Sequence, residues 1–198
     1  MEASERLFAE RGFEATTIED IAAAAQVTKK TVFNHFPTKE DLALDRSDDY
    51  LHELLTAIGN RPEGTTVLDA FRVLSRRQAD QLPTLRQHLR SGGGLFSLID
   101  STPALQQRMA TYRHQLVASL ADQLREESNA EADDPWPKVV AWTLVGTQAI
   151  LFERLRHLAA GTASLTSVAR LYAGEVDRVF DRLESGIDTA PTPSSQAF

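Results

Sequence analysis

Apolar positions return every three or four residues along most of the chain, and no stretch alternates apolar with polar between hairpin turns, so the pattern predicts an all-α fold. Ala3, Leu7 and Phe8 share one side of a first short helix, which Gly12 stops as the residue best suited to a left-handed backbone. Thr17 with Asp20 three residues on has the form of a capping box, and Ile18, Ile21, Ala22 and Ala25 mark the inner face of a second helix. Gln26 and Val27 make a tight connection. Thr28 then caps a third helix, with Val32 and Phe36 one turn apart on its buried side and Pro37 as its stop. Thr38 and Asp41 open a fourth helix expected to run through Leu42, Leu51, Leu54, Leu55 and Ile58 to a turn at 59–64.

The remainder keeps the helical period. Val67, Leu68, Phe71 and Leu74 predict a fifth helix, and a sixth starts at Pro83. Gly92, Gly93 and Gly94 would each cost about 1 kcal/mol inside a helix, so a break is expected there, followed by a short helical piece around Leu95 to Ile99. Thr102 and Pro103 begin a helix carrying Leu105, Met109, Tyr112, Leu116, Leu120 and Leu124, and the polar stretch 126–134 reads as a loop. Pro135 opens a long helix that Gly161 stops, and a last helix runs from about Leu165 to Glu184. The expected organisation, about nine helices in all, is a three-helix helix-turn-helix unit over residues 1–45, a larger helical unit over 46–186, and a disordered tail at 187–198.

Composition narrows the chemistry. No cysteine means no disulfide, no thiolate metal site and no Cys nucleophile. The five histidines form no i,i+3 or i,i+4 pair, and neither a metal nor another cofactor is expected. A phosphate-cradling glycine loop, a G-x-S-x-G elbow and recognisably paired carboxylates are all missing, which argues against an enzyme. The apolar tract from Val139 to Phe152 is interrupted by Thr143, Gly146, Thr147 and Gln148 and is shorter than the ~20 residues of a bilayer span, so no membrane partner and a cytoplasmic location are expected. A formal charge of −7 argues weakly against an anionic partner, but no acid lies between Ile21 and Lys39, where Lys29, Lys30, His35 and Lys39 stand. On charge alone, a chance gap in the acids explains this as well as a cationic surface does.

Two short helices joined by a tight turn, the second capped and cationic, are the elements of a helix-turn-helix that sets its second helix in the major groove. Lys29 and Lys30 stand where side chains reaching base edges would begin. Each suits guanine O6 and N7 or a phosphate, and the sequence leaves both roles open.

The segment FAERGFEATTIEDIAAAAQVTKKTVFNHFPTKEDL resembles the DNA-binding domain of the tetracycline-repressor (TetR) family, with Gly12-Phe13, Thr16-Thr17, Ile21-Ala22, Ala25, Val27-Thr28, Thr31, Phe36 and Lys39-Glu40 at family spacing. The resemblance implies a homodimer that binds double-stranded operator DNA and releases it when a small-molecule effector binds. It implies a phosphate contact from the hydroxyl or backbone N–H of Thr17, polar flanks of the reading face at Thr28 and Thr31, a base-reading pair at Lys29 and Lys30, and a phosphate grip from Lys39. Asn34 and His35 match positions that face the DNA backbone. Phe33 departs from the family, which usually has a tyrosine donating to phosphate there. Family members also carry further helical turns and a basic arm ahead of the position matched by Met1, so either the gene start is placed late or the arm is dispensed with, in which case fewer phosphate contacts imply a shallower salt dependence.

Beyond Gly64 no motif fixes a site. The segment LFSLIDSTPALQQRM resembles the matching part of a TetR subgroup that includes the mycofactocin regulator and some acyl-thioester binders. Family members dimerise through their last two helices, and Val139, Val145, Ala149, Val168, Tyr172, Val176, Val179 and Leu183 are the expected interface, with intrachain core as the alternative. Phe71, Phe96, Tyr112, Trp142, Gln148 and Phe152 are the expected neighbours of a pocket for a largely apolar effector, core being again the alternative. Two other functions compete: a helical enzyme or small-molecule binder without DNA, and a degenerate family member acting as a protein-interaction module.

Overall fold

The computed structural model describes residues 2–44, 54–90 and 94–186, and the regular structure among them is helical throughout. In chain order the helices are α1 (Glu2–Arg11), α2 (Ile18–Ala24), α3 (Lys29–His35), α4 (Lys39–Ala43), a helical stretch at 54–59, α5 (Val67–Arg77), α6 (Leu82–Arg90), α7 (Gly94–Ser101), α8 (Pro103–Ser128), α9 (Trp136–Ala160) and α10 (Leu165–Ser185), with a 3-10 turn Gln78–Gln81 between α5 and α6. The expected tail at 187–198 and the first two residues of the glycine triplet lie outside the described residues, as does Leu51.

Two expectations need correction. The fourth helix does not run on from Lys39: it closes after Ala43, where the Leu44 N–H donates to Glu40 O. The helix begun by Pro103 continues into the expected loop as far as Ser128, and Asn129 ends it in a left-handed conformation at φ 50°.

The main core lies among α5, α6, α8, α9 and α10, where Phe71, Leu120, Leu155, Val176 and Phe180 are fully buried. Tyr172 joins them and keeps its hydroxyl satisfied by donating to Gln78 Oε1 at 2.7 Å; burial, helped by the nearby Glu175 charge, pushes its phenol above the ordinary value. Arg86 fastens α6 to the α9–α10 connection, donating through Nε to Ala159 O at 3.0 Å and through Nη1 to Ala163 O at 2.7 Å, where the last carbonyls of α9 need donors.

A second core forms the head: Leu7, Phe8, Phe13, Ile18, Ile21, Ala22, Val32 and Leu42. Helices α1 to α4 do not close it alone. Leu105 of α8 is fully buried among them, and Leu98, Ile99 and Met109 pack alongside.

Capping boxes set several helix starts. In α5 the Thr66 hydroxyl accepts from Asp69 N at 3.1 Å and donates to Asp69 Oδ2 at 2.6 Å. Thr66→Ala removes both bonds and is expected to lower unfolding free energy by about 1 kcal/mol, read as a lower urea midpoint with an unchanged slope.

Candidate nucleic-acid interface

The head owes its geometry to short-range devices. Gly12 takes φ 80° and donates to Phe8 O, ending α1, and the buried Thr16 hydroxyl bonds Gly12 O at 2.8 Å and Leu7 O at 3.2 Å, fixing the approach to α2. Gln26 adopts φ 57°, which turns the chain sharply enough for Val27 N to donate to Ala22 O at 2.9 Å. Val27 itself is 42% exposed, so the α2–α3 angle is held by Ile18, Ile21, Ala22 and Val32, without help from the Val27 side chain.

Helix α3 presents an almost unbroken exposed surface. Thr28, Lys29, Lys30, Thr31, Phe33, Asn34 and His35 are all exposed, and Val32 is the one side chain of the helix that is buried. Thr28 caps α3 by accepting from Thr31 N at 3.0 Å, and the two hydroxyls bond each other at 2.8 Å, which leaves one hydroxyl proton for an outside acceptor. The Lys29 ammonium bonds Glu19 of α2 and lies 5.7 Å from the centre of the Phe33 ring. That bond, foremost, holds the Glu19 carboxylate below its ordinary range.

Two expected phosphate contacts are differently engaged. Both donors of Thr17 point to Asp20 Oδ2, the hydroxyl at 2.6 Å and the backbone N–H at 3.0 Å, so the residue acts as a cap with no proton left over. Lys39 turns back over the Phe13 ring at 4.2 Å and donates to Phe13 O at 2.9 Å and Thr16 O at 3.2 Å. At most one of its three N–H bonds remains for a phosphate.

Beside this apolar packing, one carboxylate makes a polar tie between the head and α8. Asp41 Oδ2 accepts from Thr38, and Oδ1 accepts from Arg108 Nε of α8 at 2.6 Å. Burial alone would raise this carboxyl, but the bonds from Thr38 and Arg108, with the Arg108 charge, outweigh it and hold it below its ordinary value. A depressed folded value gives stability that is complete above the ordinary carboxylate range and fades as pH falls through the folded one. Denaturation followed over a pH series is therefore expected to show this tie weakening below about pH 4, and Asp41→Asn should remove that share of the acid sensitivity.

Elsewhere the expected sites are redistributed. Val145, Val168, Tyr172 and Val176, expected at a dimer interface, are buried within the single chain and have no surface to offer a second one; Val179 and Leu183 pack against the same core, and Ala149 is half-buried. Val139 alone of that set is exposed, at 47%. Trp136, Trp142 and Ile150 of α9 and Leu171 of α10 are exposed too, although the sequence pattern does not single them out for this face. Of the pocket candidates, Phe71, Tyr112 and Gln148 are buried, Phe152 packs against the core, and Trp142 is 42% exposed and meets His114 edge-on at 5.1 Å. The Phe96 side chain lies outside the described residues. A concavity of about 480 Å³ lined by Pro83, Arg86, Gln87, Arg90 and Leu165 includes none of the six.

A capped, acid-free and exposed second helix, set by a left-handed turn against the first and carried on a larger helical body, defines a helix-turn-helix regulator of transcription. Residues 1–45 match the family model described as bacterial regulatory proteins, tetR family. The chain is 26% identical over 92% of its length to a Mycobacterium tuberculosis protein named for the transcriptional regulation of mycofactocin biosynthesis, MftR, covering 86% of that protein. It is 31% identical over 65% of its length to the HTH-type transcriptional regulator TcmR of Streptomyces glaucescens, of which it spans 58%. Among solved structures it superposes on Salmonella enterica GusR with a TM-score of 0.53 at 19% identity, covering 92% of this chain and 91% of that one. It also superposes on Pseudomonas aeruginosa NalD with a TM-score of 0.53 at 20% identity, covering 89% and 92%. At these identities the superpositions speak for the fold.

Proposed function

We propose that the protein is a ligand-released repressor that binds a palindromic operator as a homodimer through residues 1–45, with residues 46–186 forming the effector-binding and dimerising unit in a cytoplasmic protein. The observation that carries this is the exposed start of α3: Lys30 has no intrachain ion pair or hydrogen bond among the described residues, and Lys29, Thr28, Thr31, Asn34 and His35 surround it. Two relatives support repression: DhaR of a Mycobacterium species and Rv3405c of Mycobacterium tuberculosis are both named as repressors.

Dimerisation is supported by the outer face of the last two helices. Trp136, Val139, Thr143, Gly146 and Ile150 stand at i, i+3, i+7, i+10 and i+14 on α9, one continuous stripe, with Leu171 and Gly174 on α10. A Cβ built on Gly146 or Gly174 meets nothing within 4 Å, so nothing among the described residues requires these mid-helix glycines, each of which costs about 1 kcal/mol. Close approach of a second copy gives them a reason. A dimer sets its two α3 helices to meet half-sites about 34–36 Å apart, and an effector that prefers a wrongly spaced dimer lowers DNA affinity by its own preference.

The deciding experiment is a mobility-shift titration against the intergenic DNA beside the protein's own gene. Tight, sequence-selective, salt-sensitive binding is expected; binding equal to that of unrelated duplex would reject the proposal.

A further inference from the structure

Lys29 is the first residue of α3, and its ammonium is bonded across the helix-turn-helix to Glu19, in the first turn of α2. Their side chains are 51% and 61% exposed, so the pair adds little to folding stability. Its position gives it another consequence. No acid lies between Ile21 and Lys39, and Glu19 brings a negative charge from α2 onto the very cation that DNA would use.

We propose that Glu19 sets selectivity for the operator by retaining Lys29 against the phosphates of arbitrary duplex and yielding it only to acceptors held in place at the operator. This rests on the DNA-binding function given above and deepens it. A phosphate met at random is a single charge at a variable distance, and it must displace a carboxylate already in contact with the ammonium. An operator offers a fixed acceptor, such as guanine O6 and N7, together with the remaining contacts that hold the protein in register over it. The exchange moves no atom between molecules: the ammonium changes acceptor, and Glu19, exposed already, is rehydrated without a burial penalty. Discrimination arises because the wrong partner meets a standing competitor, at small expense to the right one.

The test uses the full chain and a labelled duplex of mixed sequence, titrated over a series of salt concentrations. Wild-type protein must bind this duplex at low salt; failure there overturns the DNA-binding function itself and is distinguishable from failure of the present proposal. With wild-type binding established, Glu19→Gln is expected to bind mixed duplex roughly fivefold more tightly, and its plot of log affinity against log salt should be steeper by about 1.8 for a dimer, about 0.9 for the one added phosphate contact in each copy. Glu14→Gln removes the same charge from an exposed position of the head that has no ion pair among the described residues, and it should leave the slope unchanged. In a Lys29→Met background the gain from Glu19→Gln should vanish, since the effect runs through that ammonium. An equal gain from Glu14→Gln, or a gain that survives without Lys29, overturns the proposal. Thermal unfolding of Glu19→Gln should match wild type, so that altered binding is not altered folding.

Discussion

Changing Lys29 and Lys30 together to alanine is expected to lower operator affinity by about a thousandfold, since each specific side-chain contact is worth about 1–3 kcal/mol and both lysines recur in the two half-sites. The chain should fold as before. Neither side chain contributes to the head's core, which is built from Leu7, Phe8, Phe13, Ile18, Ile21, Ala22, Val32 and Leu42. Circular dichroism and size-exclusion profiles should be unchanged while the mobility shift disappears. Retained selective binding by the double variant would show that α3 does not read the operator through its first turn.

Ile150→Asp is expected to separate the proposed dimer. Ile150 is 68% exposed within its own chain, so the substitution takes little from the intrachain core. Across a two-fold axis it would place one carboxylate on each copy inside an apolar contact, where two like charges are repelled and desolvated. Sedimentation should report a folded monomer, and operator affinity should fall by at least about a hundredfold because the second half-site is no longer delivered with the first. Val176→Asp makes the contrast: Val176 is fully buried inside the chain, and an acid there should unfold the protein. If Ile150→Asp remains dimeric, the interface lies on another face.

The helices are legible in the sequence where a cap coincides with a period. Thr17 before α2, Thr28 before α3 and Gly12 after α1 are local signals, and local signals survive folding. The end of the fourth helix is not legible, because Leu42, Leu51, Leu54 and Ile58 keep a helical period whether or not the backbone between them is continuous. Interface and core are confused for a related reason. Hydrophobicity alone does not say which of two apolar stripes on one helix faces inward, so the richer stripe of α10, with Val168, Tyr172 and Val176, reads as an interface although the chain needs it for itself. The outer stripe of α9 has a sequence signal in its heptad spacing, but Thr143 and Gly146 interrupt its hydrophobicity. The Glu19–Lys29 bond has none, since ten residues and a turn separate the partners. Thr17 and Lys39 look available because sequence shows a donor without showing what already occupies it.

Asp41 divides its two oxygens between two tasks, Oδ2 for the start of α4 and Oδ1 for Arg108. Withdrawing Arg108 thus loosens the joint without unravelling the helix beside it. What then holds head to body is the greasy seat around Leu105, which grips without preferring a direction. The apolar seat thus supplies attachment, and the Asp41–Arg108 clasp adds to it a bond of fixed direction.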